Sequence, residues 1–232
     1  MKKILLILVL AVMCSSVTRA DDLDDGYASY NEGNYTQAME LLLPSAIQGH
    51  AVAQTIIGLM YYKGEGVIQD DKEAARWFQK ASEQGNVVAQ HALGLMYYEG
   101  KGVMQDDKEA EKWFQKAAEQ GNADAQYNLG VMYNNGKGVI QDYKEAARWF
   151  QKAAKQGHVN AQYNLGMMYD DGKGVLRNYV RAHMWFNLAA SNGHKKGSRY
   201  RERVAKKMTP SKISQAQNMA KKCEKKNYKN CK

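Results

Sequence analysis

Three sets of residues in this chain are of types that do chemistry. Gly100-Lys101-Gly102, Gly136-Lys137-Gly138 and Gly172-Lys173-Gly174 each hold a lysine between glycines, which invites a reading as phosphate cradles. A P-loop needs four residues between its glycines and a hydroxyl residue after the lysine. Here Gly94 to Gly100 and Gly130 to Gly136 enclose five, and a glycine follows each lysine, so these stretches read as turns. The adjacent carboxylates Asp70-Asp71, Asp106-Asp107 and Asp170-Asp171 suggest acid–base or metal groups. The first two pairs stand where a helix is expected to start, and there carboxylates satisfy backbone N–H groups and the helix dipole. His50, His158 and His194 recur at a position held by Asn86 and Asn122 elsewhere, which reads as a turn residue beside a helix start. His91 and His183 have no ligand partner at helical spacing, so neither a metal site nor a cofactor is expected.

The elements that carry these residues follow from a repeat. A 36-residue unit occurs four times without a gap, at 51–86, 87–122, 123–158 and 159–194, and a period in this range means a stacked array. Each unit reads as two helices around a glycine-containing loop. In the third copy Ala125, Leu129, Met132 and Tyr133 share one face of a first helix, which should stop near Gly136. The second helix starts at Asp142-Tyr-Lys-Glu145, a capping-box pattern repeated by Asp70 with Glu73 and Asp106 with Glu109. Asn178 with Arg181 lacks the acidic partner, so a less firm start is expected there. Ala146, Trp149, Phe150 and Ala153 recur at i, i+3, i+4 and i+7, the stripe of a core-facing helix. All four Trp and all four Phe of the chain occupy the two aromatic positions. Gly58, Gly94, Gly130 and Gly166 lie mid-way along the first helices, at roughly 1 kcal/mol each against alanine; the repetition predicts close helix contact.

The pattern Ala-x-Ala-Gln-x-x-Leu-Gly-x-Met-Tyr-x-x-Gly-x-Gly-Val, followed by Asp, Ala, Trp-Phe, Ala-Ala and Gly, closely resembles the Sel1-like repeat, a relative of the tetratricopeptide repeat with a longer loop. That resemblance implies an all-α solenoid that binds other proteins. Some Sel1-like proteins are described as penicillin-binding or β-lactam-hydrolysing, which makes a β-lactam or cell-wall enzyme, or its accessory, the alternative. A Ser-x-x-Lys nucleophile motif and a Lys-Thr-Gly strand would carry that chemistry. Neither occurs in the sequence, and a non-enzymatic protein is expected.

Residues 1–20 read as a secretory signal peptide: Lys2 and Lys3, an apolar run from Ile4 to Met13, then Thr18-Arg19-Ala20. The run is too short to span a bilayer as an ordinary helix, so no transmembrane segment is expected in the mature chain, which starts near Asp21. Residues 21–50 form a degenerate unit with a shorter loop, in which Pro44 should end or bend the second helix; such departures mark a solenoid cap. From Asp21 to His194 there are 16 basic and 22 acidic residues, a net of −6, whereas 195–232 carries 14 against two, a net of +12. The overall charge of +9 therefore conceals two opposite surfaces. The basic tail should form one or two helices, restarting at Thr209-Pro210, with Ile213, Ala216, Met219, Ala220 and Cys223 covering the open end of the last repeat. With Cys14 in the signal peptide, Cys223 and Cys231 remain as an even pair in an exported chain, for which a disulfide is the default.

In tetratricopeptide-like packing the first helices line a concave groove. The second, fifth, ninth, twelfth and thirteenth positions of each unit face it, and these are the positions that vary among the copies while the core positions repeat. The expected groove residues include Thr55, Leu59, Tyr62, His91, Leu95, Tyr98, Asp124, Tyr127, Asn134, Asn160, Tyr163 and Asp170. They grade from apolar and aromatic to polar and acidic, which suits a peptide or helix with an apolar anchor and a basic end; tyrosines are enriched where proteins recognise partners. The reading is an exported, periplasmic or secreted, monomeric adaptor or scaffold of about eleven helices, holding another envelope or secreted protein. Its basic tail is a solvated cap or a contact for anionic envelope polymer, lipid or an acidic partner. Nucleic acid is not an expected partner of an exported protein.

Overall fold

The computed structural model describes residues 20–228 and Cys231. The signal-peptide reading, with its Cys14, lies outside the described residues apart from Ala20. Twelve helices and no strand are present among the described residues, one helix more than the sequence count, because the tail folds as two. The chain divides into two compact units, Met1–Gln105 and Asp106–Lys232. No helix among the described residues is long and apolar enough to cross a membrane.

The first unit holds α1 (Ala20–Asn31), α2 (Tyr35–Ile47), α3 (Ala51–Lys63), α4 (Asp71–Glu83) and α5 (Val87–Glu99). Each helix packs on the next in sequence. Leu42, Ile57, Met60 and Trp77 are buried in its core. Of the two outcomes expected at Pro44, an end or a bend, the end does not occur. The proline sits exposed in the last turn of α2, which runs on to Ile47, and the carbonyl it leaves without a donor belongs to the exposed Glu40.

The second unit holds α6 (Asp107–Glu119), α7 (Ala123–Asn135), α8 (Tyr143–Ala154), α9 (Val159–Asp171), α10 (Tyr179–Ser191), α11 (Gly197–Ala205) and α12 (Pro210–Glu224). The repeat stripe is core here as in the first unit: Trp149 is 2% exposed and Phe150 2%. Burying such rings supplies the largest apolar areas the sequence has to offer. A lysine one turn on lies across the indole of Trp77, Trp113 and Trp149, at 4.3, 3.9 and 3.8 Å. In the last copy that lysine is replaced by Leu188, which is fully buried, because α11 and α12 both pack on α10. Val204, Ala216, Ala220 and Cys223 form the buried face of this cap, and Cys223 is joined to Cys231.

Helix starts and stops follow the residues. Asp70, Asp106 and Asp142 each accept two backbone N–H bonds at the start of α4, α6 and α8. Asn178 accepts one, from Arg181. The reciprocal half of the capping box is not formed, because the backbone N–H it needs is taken by the preceding helix, Asp70 N donating to Tyr61 O and Asp142 N to Tyr133 O; Glu73, Glu109 and Glu145 turn outward to Arg76, Lys112 and Arg148. Gly136 ends α7 in the left-handed conformation at φ 69°, as a helix C-terminus favours. The second glycine of each loop does more than turn the chain. A Cβ on Gly174 would strike the carbonyl of Tyr143, and one on Gly102 the carbonyl of Asp71, so each loop docks on the helix start of the preceding repeat and only hydrogen fits.

A buried amide chain links the repeats. Gln54 donates to Ala46 O at 3.0 Å and accepts from Gln84 at 2.7 Å in the first unit. In the second, Gln126 donates to Ala118 O and accepts from Gln156, and Gln162 donates to Ala154 O and accepts from Asn192. Tyr228 completes the series by donating to Asn192 Oδ1 at 2.8 Å. Such glutamines are buried at no net loss only when both ends are satisfied.

Candidate partner-binding surface

In the first unit the expected groove residues fall on α3 and α5. Leu59, Tyr62, His91, Leu95 and Tyr98 are half-buried. Lys101 Nζ lies 3.4 Å from the Tyr62 hydroxyl and 2.7 Å from a Glu99 carboxylate oxygen, and the two partners push its pKa up to about 12. Thr55 departs from the expectation. It is 5% exposed and its hydroxyl donates to Ala51 O at 2.7 Å, so the short side chain turns back on its own helix where later copies carry a protruding ring.

In the second unit the residues sit on α7 and α9. Asp124 and Asn160 are exposed, and Tyr127, Asn134 and Tyr163 are half-buried. Tyr127 stacks on His158 at 4.5 Å, and Tyr163 on His194 at 4.1 Å. His158 serves as a helix cap, its Nδ1 accepting from Ala161 N at 3.2 Å, whereas His194 Nδ1 accepts from Lys196 N at 3.3 Å within the turn before α11. An accepting Nδ1 places the His158 proton on Nε2, 3.3 Å from Asp124 Oδ1. Burial holds the His158 pKa below its ordinary value, against the pull of Asp124. Burial raises the Tyr163 pKa, assisted by its hydrogen bond to Tyr200. These tyrosines thus serve as both packing and surface, one edge against the array and the other toward solvent.

Asp170 also departs from the expectation. It is 4% exposed, and its carboxylate is taken by Arg203 at 2.6 Å and Lys207 at 2.8 Å. The tail withdraws it from any surface, and the acidic character passes to the exposed Asp171. What the unit does bring together is a recess of about 270 Å³, lined by Asn134, Phe150, Tyr163, Asn164, Met167, Met168, Asp171 and Lys173. It joins four positions of the expected groove register, Asn134, Tyr163, Met167 and Asp171, to the core residues Phe150 and Met168. Phe150 and Met168 were legible only as core, and a core residue at the foot of a gap between helices gives no signal of its own. No group of three potential metal ligands occurs among the described residues.

The family model described as Sel1 repeat matches residues 29–50, 51–86, 87–122, 123–158 and 159–194. The chain belongs to the Sel1 repeat family. Among solved structures it resembles a Sel1 repeat protein from Oxalobacter formigenes, at 36% identity over 77% of this chain and 74% of that one, with a TM-score of 0.73. It also resembles a protective antigen of uropathogenic Escherichia coli with an SLR fold, at 32% identity, 85% coverage and a TM-score of 0.57; the chain spans 50% of that antigen. A third structure, a Sel1 repeat protein from Klebsiella pneumoniae, shares 23% identity over 79% of this chain and 91% of its own, with a TM-score of 0.50, and supports the fold alone. No curated protein matches the chain. The Sel1 repeats and the helix pairs that pack in sequence make this an all-α solenoid. Sel1 repeat proteins are generally protein-interaction scaffolds.

Proposed function

We propose that this chain is an exported, non-enzymatic adaptor that holds another envelope or secreted protein on its first-helix surface. In the second unit that surface centres on the recess floored by Phe150 and Met168. This recess is the observation that carries the reading: a mixed pocket in which Phe150, Met167 and Met168 are the apolar lining and Tyr163, Asn134, Asn164, Asp171 and Lys173 the polar lining. An aliphatic or aromatic anchor fills the floor, and a lysine or arginine beside it pairs with Asp171. A tyrosine at the rim supplies rigid contact area at low entropic cost. The disulfide between Cys223 and Cys231 suits an oxidising compartment, in keeping with export to the periplasm or beyond. No observation favours the β-lactam alternative.

The test is crosslinking capture from the native envelope with the intact protein and with an Asn134→Arg, Asp171→Arg variant. Both positions line the recess without holding the fold, unlike Tyr127 and Tyr163, whose stacked rings do. A partner captured by the intact protein and lost by the variant at unchanged melting temperature supports the reading. Identical captures by both overturn it.

A further inference from the structure

We infer that the junction of α10 with the α11–α12 cap is a binding cleft for the phosphate of an anionic lipid headgroup. The cleft, about 690 Å³, is lined by Arg177, Arg181, Lys207 and Lys212 together with Met208 and Met219, and no acidic side chain lines it. Three separate segments supply the four cations: the loop before α10, its first turn, and the α11–α12 turn with the start of α12.

The repeat itself shows that this charge is local and not general to the fold. At the equivalent places the other three copies read Gln69, Asp70 and Glu73; Gln105, Asp106 and Glu109; Gln141, Asp142 and Glu145. Only the copy facing the cap reads Arg177, Asn178 and Arg181. Three of the cations are held in place, Arg177 by the Asp171 carbonyl at 3.3 Å. Arg181 donates to the Tyr169 hydroxyl at 3.0 Å, and Lys207 is fixed by Asp170 while lying 5.0 Å from the Tyr179 ring centre. A site assembled beforehand binds without ordering its side chains first.

The number of donors sets the ligand. Asp170 shows what one carboxylate satisfies here, two cations on two oxygens. Arg177, Arg181 and Lys212 form no ion pair with a carboxylate among the described residues: Arg177 donates to the Asp171 carbonyl at 3.3 Å and Arg181 to the Tyr169 hydroxyl. A phosphate group offers the additional charged oxygens and the geometry that guanidinium groups match. An apolar residue stands exposed at this place in every repeat, as Ile68, Met104, Ile140 and Leu176, and only in the last does it stand beside cations, a combination that suits a lipid over a soluble ester. Leu176, 92% exposed, precedes Arg177 and borders a second recess with Val175 and Tyr169 that shares Asn178 and Arg181 with the cleft. An exposed aliphatic side chain next to phosphate-binding cations enters the acyl boundary when the headgroup is engaged.

The experiment is vesicle flotation of the protein purified from its producing cells with the disulfide intact, using phosphatidylcholine vesicles with and without phosphatidylglycerol. A triple variant, Arg177→Gln, Asn178→Asp, Arg181→Glu, installs the residues the other three repeats already carry, so the fold accepts it. Affinity for the phosphatidylglycerol vesicles should fall at least roughly 30-fold, the effect of losing two membrane-facing arginines alone. The control, Lys221→Glu with Lys222→Glu, makes the same charge change elsewhere on the tail and should cost far less. Leu176→Gln should weaken vesicle binding and leave the weaker binding of glycerol phosphate, read by isothermal titration, unchanged. Equal losses in the triple variant and the control would reduce the effect to general tail charge and overturn the proposal. So would glycerol phosphate binding as tightly as the vesicles, which would make the ligand a soluble ester, or displacement from vesicles by an oligoglutamate peptide at the same concentration as by soluble phosphatidylglycerol.

Discussion

Replacing Gly130 by alanine isolates the contact on which each repeat is built. A Cβ at this position would lie 2.5 Å from Phe150 Cδ1 and 2.6 Å from Cε1. Ordinary contact needs about 3.4 Å, so the ring must retreat by about 1 Å inside a close-packed core. Phe150 has little room to do so, being 2% exposed with the Tyr127 ring 5.8 Å away on one side. Alanine gains about 1 kcal/mol over glycine in helix propensity, while overpacking a core costs about 1–3 kcal/mol. Gly130→Ala should therefore lose about 0–2 kcal/mol net, toward the upper end because both contacts fall well inside ordinary distance, although the same change on an open helix would stabilise. Phe150→Leu alone should cost about 1–2 kcal/mol from the space it leaves. In the double variant the new methyl occupies part of that space, and the loss should be no greater than for Phe150→Leu alone, a coupling of about 1–2 kcal/mol. Urea titration followed by circular dichroism and by tryptophan fluorescence measures all three, provided the slopes agree. A Gly130→Ala protein more stable than the parent, or energies that add within about 0.5 kcal/mol, would refute the packing argument.

Stability should fall with acid through the histidines. Burial lowers the pKa of His158, His183 and His194, with Arg201 adding to the effect at His183 and Lys196 at His194, while Asp124 opposes it at His158. The folded state prefers the neutral ring, so this contribution is complete above about pH 6.5, the unfolded value, and is lost as pH falls through the folded values. His158→Asn with His194→Asn, the residue standing at Asn86 and Asn122, should flatten the dependence of melting temperature on pH below that point. At Asp170 the two directions of removal should differ. Arg203→Ala with Lys207→Ala strands a buried carboxylate and should cost about 2–4 kcal/mol, toward the lower end because both cations are half-exposed; Asp170→Ala strands only solvated cations and should cost about 1–2 kcal/mol, as chemical denaturation would show. Cys223→Ser with Cys231→Ser opens a bridge of sequence separation 8 and should cost about 2–3 kcal/mol, with hydrogen exchange rising first in α12.

The repeat made most of this fold legible. A residue found at one position in four copies reports a packing constraint, and Trp149, Phe150 and Gly130 could be placed before any coordinates. What escaped were contacts between distant parts of the chain. Asp170 reads as a groove residue by register, and nothing local reveals that Arg203 and Lys207 return to claim it. Thr55 shares its register with Tyr127 and Tyr163, yet its hydroxyl finds a carbonyl one turn back that a phenol cannot reach. One signal was present and unread: Lys80, Lys116 and Lys152 give way to Leu188, and Arg148 to Met184. That change of a solvated face to an apolar one marks the helix beneath the cap, since a leucine there is unfavourable unless something covers it.

The amide chain has a direction. Each glutamine, Gln54, Gln126 or Gln162, donates to a carbonyl of the repeat before it, and its own oxygen waits for Gln84, Gln156 or Asn192 at the end of the repeat to which it belongs. The glycine loops likewise lean backward, Gly102 on Asp71 and Gly174 on Tyr143. A chain emerging N-terminus first thus finds at every step a finished platform behind it. Loss of the final residues, by contrast, would leave Asn192 without the Tyr228 hydroxyl that closes the series.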